Sequence, residues 1–467
     1  MVFSCKKTGS MKSVTENNKE NDNHFYENQS DNSLKENKND NLLQENKENI
    51  QTYKCITKII FILIILFMIP FLSISFSILE YKIQKQITII KNNFIKFKKD
   101  ITYTSKYYQK LPDLTCGRKN PVQLLKIPDG RIYIDGDTSG YDKKFPDFCG
   151  TNEFGEIYNP TTKTFSLTNS KKNRTRETNQ SVEILKDGNV FLYSTYDQTI
   201  EIMRIYDTAK NQYRILRIPV NYRGEYYSVN EFENGKILIS GGEGIYKNNY
   251  EDKAEIYNYK KNIFEKTISM NKKRGKHKTI KLQDGKIFII GGESKSGIEN
   301  STEIYNPKTQ QFIDGPDMHY SRRNAEAVIL PDGKVLIMYG NTVSEKNEHI
   351  VGNFIFQIEI YDPKTNTINL PNIDYSLLEK DKDRQYGKIT LLSDDLIFIM
   401  HPNYKTTLYS ISKNKFFAGP NSYYEHEGGG VITVKDKEAL LIGGSRERYS
   451  SSNKAELFVF KDELIDR

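Results

Sequence analysis

The residues best suited to chemistry in this chain are arginines, because six of them recur at one place in a repeated pattern. Arg118, Arg176, Arg223, Arg274, Arg322 and Arg384 each stand about eleven or twelve residues ahead of a short turn signal. The clearest signals are Asp129-Gly130, Asp187-Gly188, Asn234-Gly235, Asp284-Gly285 and Asp332-Gly333. A guanidinium is a permanent cation whose planar donors match carboxylate or sulfate, so a ring of them at a channel mouth would form a fixed cationic funnel. The same recurrence fits a structural use, in which each arginine pairs with a carboxylate or backbone carbonyl of the next repeat. The sequence leaves both readings open.

The other reactive residue types are thinly spread. The six histidines, His24, His277, His319, His349, His401 and His426, never fall at a spacing such as HExxH. No CxxC pair occurs among Cys5, Cys55, Cys116 and Cys149, so neither a metal nor another cofactor is expected. Gly241-Gly242-Glu243-Gly244 lacks the Gly-Lys-Ser/Thr ending of a phosphate loop. Cys116 precedes the first strand of the first repeat and Cys149 lies in that repeat's long loop, so the two can bridge or remain separate buried thiols.

These residues need a scaffold, and the stretch from His277 to Phe312 shows its unit. An apolar run reaches Asp284-Gly285, a dipeptide suited to a two-residue type I′ turn, and a second run, Ile287 to Ile290, ends in Gly291-Gly292. After a polar loop, Glu303-Ile304-Tyr305 starts a third strand and Phe312 sits on a fourth. The third-strand aromatic recurs as Tyr158, Tyr206, Tyr257, Tyr305, Tyr361, Tyr409 and Phe458, a period of about 50 residues. Seven residues after the first six come Phe165, Tyr213, Phe264, Phe312, Ile368 and Phe416.

With these residues in view, the repeats resemble kelch repeats, particularly the LPDGKVLIMYG style of bacterial proteins and the central domain of galactose oxidase. The likeness covers about residues 103–467 and implies an all-β fold, a seven-bladed β-propeller. The chain departs from the pattern in having no tryptophan, and copies one, two, five and six lack the full Gly-Gly. The oxidase's copper site draws on a domain beyond its propeller, whereas this sequence stops at the last blade, so that activity does not carry over. Asp-box sialidases are excluded because their SxDxGxTW motif needs a tryptophan.

Upstream, residues 1–52 are rich in Asn, Glu and Lys and too poor in large apolar residues to offset chain entropy, so a disordered tail is expected. Ile59 to Leu79 carries no charge and is long enough for a bilayer core of about 30 Å, which predicts one transmembrane helix over 56–80. Residues 81–102 read as a basic amphipathic stalk helix, with Ile83, Ile87, Ile90, Phe94, Phe97 and Ile101 at heptad-like spacing. That stripe suits self-association, packing on the propeller or contact with lipid. Ten Lys or Arg against Asp100 and Asp113 in residues 81–120 account for the whole formal charge of +8, so no nucleic-acid partner is expected. The positive-inside rule would put this side in the cytoplasm. Exported bacterial kelch propellers on signal anchors point the other way, and an extracytoplasmic propeller is the expectation here.

Ring closure follows from a second internal match. LPDLTCGRKN, Leu111 to Asn120, aligns with GPDMHYSRRN, Gly315 to Asn324, and puts Tyr108 in the place of Phe312. Residues around Tyr107 to Leu111 should therefore supply the outer strand of the last blade, pairing with Ala455 to Phe460. Tight first-to-second and third-to-fourth turns share one face of such a ring, and the long loops share the other. The sequence thus predicts a membrane-anchored propeller that binds a protein or a glycan through its long-loop face. The enzymatic alternative is a kelch-type carbohydrate-active enzyme, an epimerase or oxidase, holding an acidic sugar on the arginine ring.

Overall fold

The computed structural model describes Lys54 and residues 56–60, 73–137, 154–171, 177–196, 200–216, 225–233, 235–244, 249–342, 354–381, 386–447 and 450–465. The expected tail and residues 61–72, the middle of the expected membrane span, lie outside the described residues. Among the described residues no helix is long and apolar enough to cross a membrane. The chain divides into two compact units, Met1–Lys96 and Phe97–Arg467. One 35-residue helix, Ser73–Tyr107, contains the whole of the expected stalk stretch.

The second unit holds seven four-stranded antiparallel sheets, the blades of a propeller. From first to last strand, blade 1 runs from Lys119–Lys126 to Thr164–Leu167 and blade 2 from Glu177–Ile184 to Gln212–Leu216. Blade 3 spans Ser228–Glu233 to Ile263–Ser269, blade 4 Lys278–Lys281 to Gln311–Asp314, and blade 5 Glu326–Ile329 to Thr367–Asn369. Blade 6 runs from Lys388–Ser393 to Lys415–Ala418. Blade 7 takes Gly430–Lys435, Glu438–Ile442 and Ala455–Val459 from the end of the chain and its outer strand, Tyr108–Lys110, from before blade 1.

Burial follows strand position. The second strand of blade 4, Ile287–Ile290, is buried at every residue, because neighbouring blades cover both its faces. Its outer strand, Gln311–Asp314, buries only Phe312 and leaves its other side chains in solvent. The spaced aromatics meet across the third and outer strands: Tyr305 and Phe312 have ring centroids 5.1 Å apart and Tyr257 and Phe264 likewise 5.1 Å. In blade 7 Tyr108 stands opposite Phe458 with centroids 5.2 Å apart, so the incoming strand supplies the missing partner. Such pairs contribute about 0.5–1.5 kcal/mol beyond the area they bury.

The hairpin turns differ from the expected type I′. Leu282 N donates to Lys286 O at 2.8 Å, Gly285 N donates to Leu282 O at 3.0 Å, and Gly285 has φ +85° whereas Asp284 is not left-handed. This is a type I turn followed by a left-handed glycine. Asp284 favours it because its Oδ1 accepts the Lys286 amide at 3.0 Å, a contact repeated by Asp129, Asp187 and Asp332. The Gly-Gly pair has another cause. A Cβ on Gly291 would come within 2.3 Å of Arg322 O, so the next blade's link leaves no room for a side chain. Blade 5 instead places Tyr339 at that left-handed position, with φ 61.

Candidate functional site

The two faces of the ring are built differently. On one, the described turns are tight. On the other, the second-to-third-strand loops of blades 4 and 7 fold into small two-stranded projections, Glu293–Ser294 with Gly297–Ile298 and Ser445–Glu447 with Ser450–Ser451. Single bridges join Glu243 to Tyr250 and Asn341 to Phe354 at the ends of the corresponding loops of blades 3 and 5. Exposed aromatics stand on this long-loop face, among them Tyr226, Phe354 and Tyr404.

The arginines meet this face from beneath. Arg118, Arg274 and Arg322 are each wholly buried. Arg274 donates to Gly291 O at 2.7 Å and Ser301 O at 3.0 Å, and its other terminal nitrogen reaches Glu303 Oε1 at 2.7 Å. Arg322 repeats the arrangement with Tyr339 O at 3.0 Å and Glu359 Oε1 at 2.6 Å, and Arg118 with Phe154 O at 2.9 Å and Glu156 Oε1 at 3.4 Å. Burial pulls the Arg322 guanidinium below its ordinary pKa, and the Glu359 carboxylate opposes that pull. For these three, the guanidinium is spent on its own blade and offers nothing to a solvent ligand, which corrects the funnel for them. Arg176, Arg223 and Arg384 lie outside the described residues.

The partner carboxylates were overlooked in the sequence, although their signal was present. Glu156, Glu303, Glu359 and Glu456 each stand two residues before the recurrent third-strand aromatic. Each also accepts backbone amides of the link between blades. Glu303 takes Asn271 N at 2.7 Å and Lys272 N at 3.1 Å, and Glu456 takes Tyr423 N at 3.0 Å and Tyr424 N at 3.3 Å. Blade 7 lacks the arginine, and His426 replaces it: Nε2 lies 2.8 Å from Glu456 Oε1 and Nδ1 lies 2.9 Å from Gly443 O. In blade 6 His401 Nε2 meets Thr407 Oγ1 at 2.9 Å instead. These latches fix where each long loop leaves the ring.

What the mouth presents comes two or three residues after the arginine. Tyr226, Lys276 and Asn324 all adopt left-handed backbone, at φ 59, 55 and 53. They join blade to blade, Asn324 N donating to Lys276 O at 2.9 Å and Lys276 N to Tyr226 O at 3.1 Å. Lys276 Nζ lies 4.6 Å from the Tyr226 ring centre and 3.5 Å from Glu293 Oε2, which also takes Arg323 at 2.6 Å. Among the described residues no three His, Cys, Asp or Glu side chains are grouped as a metal would require. Cys116 is disulfide-bonded to a cysteine outside the described residues, and Cys149 itself lies among those.

The outer strand of blade 7 fixes where the chain enters the ring. Third strands run from the long-loop face to the tight-turn face, and Tyr108–Lys110 is antiparallel to Ala455–Val459, so the chain enters at the tight-turn face. There Tyr107 Oη donates to Glu463 Oε1 at 2.9 Å and Lys106 pairs with the same carboxylate at 2.6 Å.

Residues 282–319 match the family described as Kelch motif. No curated protein matches the chain. That motif spans the strands and long loop of blade 4, one of seven blades of like build, so the match and the seven-bladed arrangement together support a kelch-repeat propeller family.

Proposed function

We propose that this chain is a membrane-anchored binding module that takes a protein or a glycan on its long-loop face. Kelch propellers commonly bind proteins. The observation that carries the reading is the division of labour between faces: the chain enters at the tight-turn face through Tyr108–Lys110, and the projecting loops and exposed aromatics stand on the opposite one. The uncharged run Ile59 to Leu79 provides the anchor, and the basic stalk of 81–102 holds the propeller beside an anionic surface or a second copy. The disulfide at Cys116 favours an extracytoplasmic propeller, since such bonds persist in oxidising compartments, and Cys149 is its partner in this reading.

The test uses the full-length protein in nanodiscs. Replacing residues 294–298 by a two-residue turn should abolish capture of its ligand from the surface of the cells that carry it, with the thermal midpoint kept. Unchanged capture would remove the long-loop face from the function. Protease added to intact cells should degrade the propeller, and Cys116 should resist alkylation until reduced; a protected propeller with an alkylated Cys116 would place it in the cytoplasm.

A further inference from the structure

The seams between neighbouring blades are alike in backbone but differ in chemistry at one place. In the seam of blades 4 and 5, Ile280 and Ile290 pack with Ala325 and Ala327 in a single apolar cluster. Aligning the blades on their left-handed residues and Gly-Gly turns sets Asn230 in the place of Ile280 and Ser240 in that of Ile290. On the facing strand His277 takes the place of Ala325, and Thr279 that of Ala327. The seam of blades 3 and 4 is therefore polar where its neighbour is apolar.

Its polar atoms are buried and unmatched. His277, 8% exposed, has neither Nδ1 nor Nε2 hydrogen-bonded, and Asn230 Oδ1 and Ser240 Oγ also lack partners. The imidazole lies against the Ser240-Gly241 corner, since a Cβ on Gly241 would be 2.8 Å from His277 Cε1. Ser228, cross-strand from Ser240, donates its hydroxyl to His277 O at 3.5 Å, which confirms that this face of blade 3 looks onto His277. Buried polar groups are nearly always paired, so several unpaired atoms at one place call for a partner. Burial and the Arg274 guanidinium lower the His277 pKa to about 3, so at neutral pH one ring nitrogen donates and the other accepts. An uncharged imidazole, an amide oxygen and a hydroxyl suit a guest group that both donates and accepts and bears no charge. The inner strands reach this point from the channel mouth, where Tyr226 is 39% exposed beside Lys276.

We propose that the seam formed by Asn230, Ser240 and His277 is a recognition site for a hydroxyl group of a carbohydrate entering from the long-loop end of the channel. This rests on the glycan arm of the reading above. An ordered water supplies the same chemistry, and the two sources part in the following experiment. Full-length protein in nanodiscs, with ¹⁵N-labelled histidine, is titrated with glucose and with N-acetylglucosamine and followed by nuclear magnetic resonance and calorimetry. One of the two sugars should shift the ring nitrogens of His277. The Asn230→Ile, Ser240→Ile, His277→Ala variant, which copies the neighbouring seam, should bind that sugar at least tenfold more weakly with an equal or higher thermal midpoint. Should that variant fail to fold, Ser240→Ala alone should still weaken binding several-fold. Three results overturn the proposal: a sugar that binds without moving His277, binding unaffected by Ser240→Ala, or ring nitrogens that respond to neither sugar, the outcome for ordered water. If capture of the natural ligand is lost on replacing 294–298 but survives Ser240→Ala, the long-loop face stands and the seam alone is wrong.

Discussion

Blades 4 and 7 meet the same two requirements with different parts. Each must latch the incoming link to its third strand and each must cover that strand's outer edge. Blade 4 latches with Arg274 on Glu303 and covers the edge with the strand that follows in sequence, whereas blade 7 latches with His426 on Glu456 and covers the edge with Tyr108–Lys110. Between these two blades the third-strand carboxylate and its two backbone amides stay fixed, whereas blade 6 sets Thr407 at that position. The cationic or imidazole partner, and even the origin of the outer strand, can vary around it.

The widest gap between the two blades should appear on removing the outer strand of blade 7. A chain lacking residues up to Lys110 leaves Ala455–Val459 as an open edge and removes Tyr107 and Tyr108 from the cluster that holds Phe458 and Leu464. Cooperative unfolding followed by circular dichroism should be lost. A chain ending at Lys461 should unfold cooperatively with a lower midpoint, and the reverse pattern would make the C-terminus the closing element.

Next in size are the latches. Arg274→Ala leaves Glu303 buried without its charge partner and should cost about 3–5 kcal/mol in denaturant titrations. His426→Ala should cost about 1–3 kcal/mol, the range for an unpaired buried acceptor. Equal losses would mean that the amides, not the side-chain partner, hold the carboxylate.

An effect comparable to the latches separates the blades by pH. His277 of blade 4 titrates near 3 in the folded chain against an ordinary value of about 6.5. The unfolded chain binds its proton first, so this contribution is whole above about pH 6.5 and is lost as the pH falls towards 3. His277→Gln should flatten that part of the stability profile, and an unaltered slope would assign it elsewhere. The smallest contrast lies in the turns. Gly285→Ala should destabilise by about 1–2 kcal/mol, because blade 4 needs a left-handed residue there. In blade 7 Lys437 already sits at φ 63, so Lys437→Gly should change stability by less than about 1 kcal/mol.

Much of the ring was legible because its signals are periodic. The aromatic pairs sit seven residues apart and meet across adjacent strands, and Tyr108 could be placed by the same spacing. The turn type was misjudged because Asp-Gly serves both turns, and only the carboxylate's bond to the amide two residues on selects between them. The arginines recur as a funnel would, yet a recurring residue is equally the mark of a recurring internal joint. Pairing Arg274 with Glu303 across 29 positions was the step that spacing alone did not reveal. The polar seam was invisible for a different reason. Asn230, Ser240 and His277 come from two blades, and nothing local to any of them shows that they share one seam.

The closing strand also dictates an order of events during synthesis. Tyr107 is bonded to Glu463, 356 positions later, so the strand that completes the ring is made before any blade and used after all of them. Until the last residues emerge, blades 1 to 6 can assemble while Ala455–Val459 does not yet exist, and the early strand has to wait unpaired. Loop-closure entropy grows only slowly with length, so the long wait costs little in final stability and appears instead as a slow last step. Fusion of a bulky domain between Tyr103 and Tyr107 would therefore burden maturation of the protein more than it would burden the finished ring.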